Sequence, residues 1–183
     1  TDAMRSSGNT NDLRGKVLRI RPTKDGYEIP AGNLFKPGTP DTRAEIYVMG
    51  CRNPFRLSLD PKTGYIYWGE VGPDARKADA KGPMGYDEIN QARQAGNFGW
   101  PFLIGDNKPY PILDFTTGKP GTLTDPAAPR NPGSRNTGLE ILPPAQKAFI
   151  WYPYSKSSEF PVMESGGRNA MAGPIFYHDA KRP

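Results

Sequence analysis

The chain has 183 residues, with 24 lysines and arginines against 19 aspartates and glutamates, and a net charge of +5. Glycine and proline occur 21 times each, which excludes long helices, because proline inside a helix removes a donor and clashes with the preceding turn. The basic residues are spread rather than clustered, which argues against nucleic-acid binding; one cysteine excludes an internal disulfide framework or a multi-cysteine metal site.

Residues 1–12 are polar and loop-like. From Lys16 the chain alternates Val17, Leu18, Arg19, Ile20 and Arg21, which predicts a strand closed by Pro22. Residues 22–43 carry seven glycines and prolines and make a long connection. A second strand is expected over 45–49, ending at Gly50. Next, Phe55 to Leu59 alternates, Asp60-Pro61-Lys62-Thr63-Gly64 has turn chemistry, and Tyr65 to Trp68 resumes a strand, which together predict a hairpin. A further strand covers Asp87 to Gln91. Residues 96–101, Gly-Asn-Phe-Gly-Trp-Pro, predict a corner with Trp100 in the core.

Residues 101–147 break this rhythm with many prolines and Asn/Asp/Gly turns, so they are expected to form an irregular insertion with local structure. Phe149 to Tyr152 and Ala172 to His178 predict strands that return to the core. Many short strands with turns between them indicate an all-β sandwich, barrel or propeller. No apolar run is long enough to cross a bilayer, and Lys181-Arg182-Pro183 ends abruptly after a strand-like run.

Three clusters of polar and glycine residues sit where predicted strands end, a common place for binding chemistry on a rigid β scaffold. In Arg52-Asn53-Pro54, a guanidinium can donate paired hydrogen bonds to carboxylate or quinone oxygens, and the proline holds Asn53 extended. Without other information it also suits an arginine paired with an acid. In Gly69-Glu70-Val71-Gly72-Pro73-Asp74, a tight turn can aim carbonyls at a hard cation, or can simply be a turn. In Asp87-Glu88-Ile89-Asn90 the adjacent carboxylates point to opposite faces of a strand, so one of them is expected to support a loop. Cys51 is expected to be a small buried side chain, and Arg168 to lie on the surface.

The order and wording of these clusters, with Gly96-Asn97-Phe98-Gly99-Trp100-Pro101, resemble the glucose/sorbosone dehydrogenase family. Its members are six-bladed β-propellers carrying pyrroloquinoline quinone (PQQ) and calcium. The resemblance runs from about Asn11 to Asp179. It implies that Arg52 and Asn53 contact PQQ and that the carbonyls of Gly72 and Pro73 ligate calcium. It also implies a sugar substrate, oxidised by hydride transfer to the quinone, and a periplasmic or extracellular setting. At roughly 40–45 residues per blade, the whole chain, 1–183, is expected to form about three blades of such a propeller, with the remaining blades as its partner. The family's catalytic histidine precedes its Arg-Asn-Pro segment. His178 is the only histidine here and follows Arg52, so no catalytic residue is assigned and the chain alone is expected to be inactive. Asn107-Lys108-Pro109-Tyr110 and Trp151-Tyr152-Pro153-Tyr154 further resemble a branch found in large bacterial multidomain proteins. A propeller that binds glycans or proteins without catalysis is the rival reading, and a structural spacer a second one.

Overall fold

The computed structural model describes residues 2–179, so the chain end at Lys181-Arg182-Pro183 lies outside the described residues. The strands are short, as the glycine and proline content requires. They are β1 (Lys16–Leu18), β2 (Arg21–Thr23), β3 (Gly26–Glu28), β4 (Ile46–Met49), β5 (Pro54–Leu59), β6 (Ile66–Glu70) and β7 (Asp87–Ala92). After them come β8 (Gly96–Asn97), β9 (Leu103–Ile104), β10 (Lys108–Pro109), β11 (Pro111–Leu113), β12 (Pro120–Leu123) and β13 (Ile150–Tyr152). A 3-10 turn covers Pro161–Met163.

The largest sheet has four antiparallel strands in the order β13–β7–β6–β5. That is the size of one propeller blade. The turn between β5 and β6 forms as its sequence predicts. Asp60 accepts the Lys62 amide at 2.9 Å and the Thr63 hydroxyl at 2.7 Å, and Gly64, at φ +74°, donates to the Asp60 carbonyl at 2.8 Å. The same device recurs unforeseen at Asp114 and Gly118, between β11 and β12.

A second sheet has the order β1–β4–β8, with β1 and β4 antiparallel and β4 and β8 parallel. All four residues of β4 are buried. Tyr47 and Val48 join Val17, Cys51, Trp68, Ala92 and Phe98 in a core between the two sheets. Ile46 and Met49 join a second core with Phe35, Phe102, Leu103 and Leu142. The fold is thus all-β and a partial propeller rather than a closed ring. β5 is the last strand of its sheet, with Phe55, Leu57 and Leu59 exposed.

Three expectations are corrected. The strand predicted over 16–21 stops at Leu18, after a register shift, and Pro22 lies inside an exposed hairpin of β2 and β3. Proline is tolerated there because an exposed edge demands no ladder donor from it. The buried aromatic of the 96–101 corner is Phe98, stacked edge-on to Trp68 at 4.8 Å, whereas Trp100 is only half-buried. The strand predicted over 172–178 does not form. That segment runs along β5 with one backbone bond, Ala172 N to Phe55 O at 3.3 Å, and a Ser58 hydroxyl bond to Gly173.

Residues 101–147 carry β9 to β12 and contribute Phe102, Leu103 and Leu142 to the second core. Asn131 ties this segment to the start of the chain, donating to the carbonyls of Met4 at 2.7 Å and Gly8 at 2.9 Å.

Candidate functional site

Because β5 and β6 are antiparallel, the residues before β5 and those after β6 lie at the same end of the hairpin. Pro54 pairs with Glu70 in the register. The Arg52 guanidinium donates to the Val71 carbonyl at 2.6 Å, and the Val71 amide donates to the Asn53 carbonyl at 3.2 Å. The Arg-Asn-Pro loop and the Gly72-Pro73 turn are therefore stitched side by side. Arg52 and Asn53 are exposed and Gly72 is buried.

Behind this mouth lie three buried carboxylates. Glu70 accepts the Asn53 amide and the Trp68 indole N–H, the latter at 3.0 Å. Glu88, directly opposite Glu70 in the register, accepts the Gly105 amide at 2.6 Å and the Asn90 side chain at 3.0 Å. Asp87 faces the other way and accepts the Gly72 amide at 3.0 Å and the Ala170 amide at 2.8 Å. The expectation that one of the adjacent pair supports a loop is met twice over, since both do. Burial raises the Glu88 carboxyl to about 7. Burial, with the Glu88 charge added, raises Glu70 to about 8. Both then tend to keep a proton near neutrality, which lowers the negative charge behind Arg52.

A small cleft opens here between Arg52, Gly72, Tyr86, Glu88 and Trp100. The Arg52 guanidinium carbon lies 5.6 Å from the Trp100 ring centroid, and Trp100 meets Tyr110 edge-on at 5.8 Å. The Tyr110 hydroxyl is buried without a hydrogen-bond partner, and burial lifts its pKa to about 12. Cys51 is fully buried and burial raises its thiol, so it is no nucleophile. His178 is exposed, in the segment that forms no ladder.

Arg168 is the largest departure from the sequence reading. Expected on the surface, its side chain is 2% exposed. It donates to the Pro73 carbonyl at 2.8 Å, sits 3.5 Å from Asp87 and lies 3.9 Å above the Tyr154 ring. Nothing in Gly166-Gly167-Arg168 marks it as buried. Glu70 was more legible, because it shares a strand face with Trp68 two residues earlier.

The family model for glucose/sorbosone dehydrogenase matches residues 2–140. The chain belongs to this family. An aldose sugar dehydrogenase of Escherichia coli is 35% identical over 89 residues, covering 49% of this chain and 20% of that protein. Quinoprotein glucose dehydrogenase B of Acinetobacter calcoaceticus is 30% identical over 146 residues, or 74% of this chain and 27% of that one. The HIPL1 protein of Arabidopsis thaliana is 25% identical over 189 residues, 96% of this chain and 22% of that one. The PQQ-bound aldose sugar dehydrogenase of Streptomyces coelicolor is a solved structure with a TM-score of 0.44 and 24% identity. The match covers 83% of this chain and 30% of that one. The chain thus spans about a quarter or less of the curated relatives it matches.

The two groups that this family implies fare differently. The Arg52 mouth carries chemistry that suits an anionic, planar quinone: an exposed guanidinium, an indole face beside it, and carboxyls behind it whose pKa values burial raises. A divalent ion at Gly72-Pro73 fits poorly. The Pro73 carbonyl is already taken by a guanidinium, that of Arg168, which also stands 3.5 Å from Asp87.

Proposed function

We propose that this chain supplies the quinone-holding part of a PQQ-dependent sugar dehydrogenase. The observation that carries this reading is the adjacency of Arg52-Asn53 and Gly72-Pro73 at one end of β5 and β6, within a chain of this family. When bound, PQQ supplies the acceptor for a hydride from the sugar. Arg52 would pair with a carboxylate or quinone oxygen of the cofactor, and Asn53 would fix its orientation by hydrogen bonding. Trp100 and Tyr86 would flank the ring system and exclude water. No step is routed through calcium at Gly72 and Pro73.

Glu70 and Glu88 behind this cleft already accept hydrogen bonds on both oxygens, so on this reading the proton of the sugar hydroxyl would go to a residue on the remaining blades. The chain alone is then inactive. Residues 101–147 are an insertion in the blade pattern on this reading, and the protein works in a periplasmic or extracellular setting. Among the described residues no helix is long and apolar enough to cross a membrane.

The test is an absorbance titration of the full-length protein with PQQ. Arg52→Ala should weaken binding by about 10- to 100-fold, the loss of one charged hydrogen-bonded pair. Equal affinity in wild type and variant, or no binding in either, would overturn the assignment and favour a non-catalytic propeller.

A further inference from the structure

Arg168 occupies a cage made for a cation. The Asp87 carboxylate, fully buried, stands at 3.5 Å, the Pro73 carbonyl at 2.8 Å, and the Tyr154 ring face at 3.9 Å. Each is a group that attracts positive charge. The cage is closed from outside by main chain. A Cβ on Gly85 would lie 1.7 Å from the Pro73 oxygen, and one on Gly72 would lie 1.7 Å from the Tyr86 oxygen. Two of the guanidinium nitrogens, Nε and one terminal nitrogen, are buried with no hydrogen-bond partner. The cage therefore binds this side chain by its charge more than by a full set of donors and acceptors. Asp87 spends its two oxygens on the amides of Gly72 and Ala170, so the guanidinium neutralises it without taking those bonds over.

We propose that Arg168 is the resident cation of the Gly72-Pro73 turn. Its guanidinium does there the neutralising and cross-linking that a divalent metal would do, and the two exclude one another at the Pro73 carbonyl. This rests on reading Gly72-Pro73 as the family's metal turn, and it deepens that reading by naming what fills the position in this chain. The turn then keeps its shape in a chelator, and calcium gains a foothold only when the positive charge at 168 is removed. Exclusion follows from Coulomb repulsion, because a divalent ion on the same carbonyl would sit within a few ångströms of a buried like charge.

The experiment measures calcium affinity by calorimetry and thermal unfolding in excess calcium or excess EDTA, on the full-length protein. The variants are Arg168→Gln and Arg168→Lys. Wild type and Arg168→Lys, which keep the charge, should unfold at the same temperature in calcium and in EDTA. Arg168→Gln should unfold at a lower temperature in EDTA and recover in calcium, with calcium bound at least about tenfold more tightly than by wild type, as expected when a like charge is removed. Arg168→Lys guards against a variant that merely misfolds, since it loses the planar fork but not the charge. A wild-type protein stabilised by calcium, or an Arg168→Gln protein indifferent to it, would overturn the proposal. The PQQ titration at Arg52 is read separately, so failure of the cofactor assignment is told apart from failure of this one.

Discussion

Replacing Gly72 with alanine tests whether the exits of β6 and the approach to β7 lie as close as the site requires. Gly72 is buried and its φ lies outside the left-handed region, so alanine carries no backbone penalty of its own. What it meets is the Tyr86 carbonyl, 1.7 Å from the new Cβ. Neighbouring Cβ contacts essentially never fall below 3.0 Å, so the two backbones must part by more than an ångström. Both are main chain, and neither can swing aside as a flexible side chain would. Separation also pulls the Gly72 amide from Asp87, which it holds at 3.0 Å. Overpacking of this kind costs about 1–3 kcal/mol, and losing a buried charged hydrogen bond adds a similar amount, so about 3 kcal/mol is expected. Gly167→Ala is the control, because a Cβ there meets nothing within 4 Å and its change should stay within about 0.5 kcal/mol. Urea unfolding of the full-length protein gives both values. A Gly72→Ala protein as stable as the Gly167→Ala control would show that the two turns are not packed against one another.

Trp68 is fully buried between the sheets and bonded to Glu70, so Trp68→Ala should destabilise by about 3–5 kcal/mol in the same urea assay. Glu70 and Glu88 have folded pKa values of about 8 and about 7, raised above the ordinary 4.5. Their contribution to stability is complete below the unfolded value and is lost as pH rises through the folded ones. The Tm should therefore fall as pH rises from about 4.5 to about 8 and level off above that, and Glu88→Gln should flatten the fall; an unchanged slope would contradict it. Asn131→Ala should leave the Met4 and Gly8 carbonyls unpaired and cost about 1–3 kcal/mol, read as faster amide exchange over residues 4–10.

Much of the β framework was legible because its cues are local. Alternation and the Asp60 to Gly64 turn placed β5 and β6, and the run after Asp87 placed β7, since each depends on neighbours within a few residues. The same locality explains the failures. Residues 172–178 have a strand's composition, but a ladder needs a partner along its whole length, and β5 offers it only one backbone bond. Trp100 and Phe98 are two residues apart at one corner, and only the packing of β4 against β6 decides that Phe98 meets Trp68.

Local residues were enough to tell which end of the β5–β6 hairpin carries polar chemistry, because antiparallel pairing forces residues 52–54 and 71–73 together. Tertiary structure alone decided what stands behind them. Glu70 faces Glu88 across a ladder, and Arg168 comes from 95 residues beyond Pro73 to fill a buried cage. Burial and long-range pairing set those charges and protonation states, and neither quantity is written in the spacing of residues along the chain.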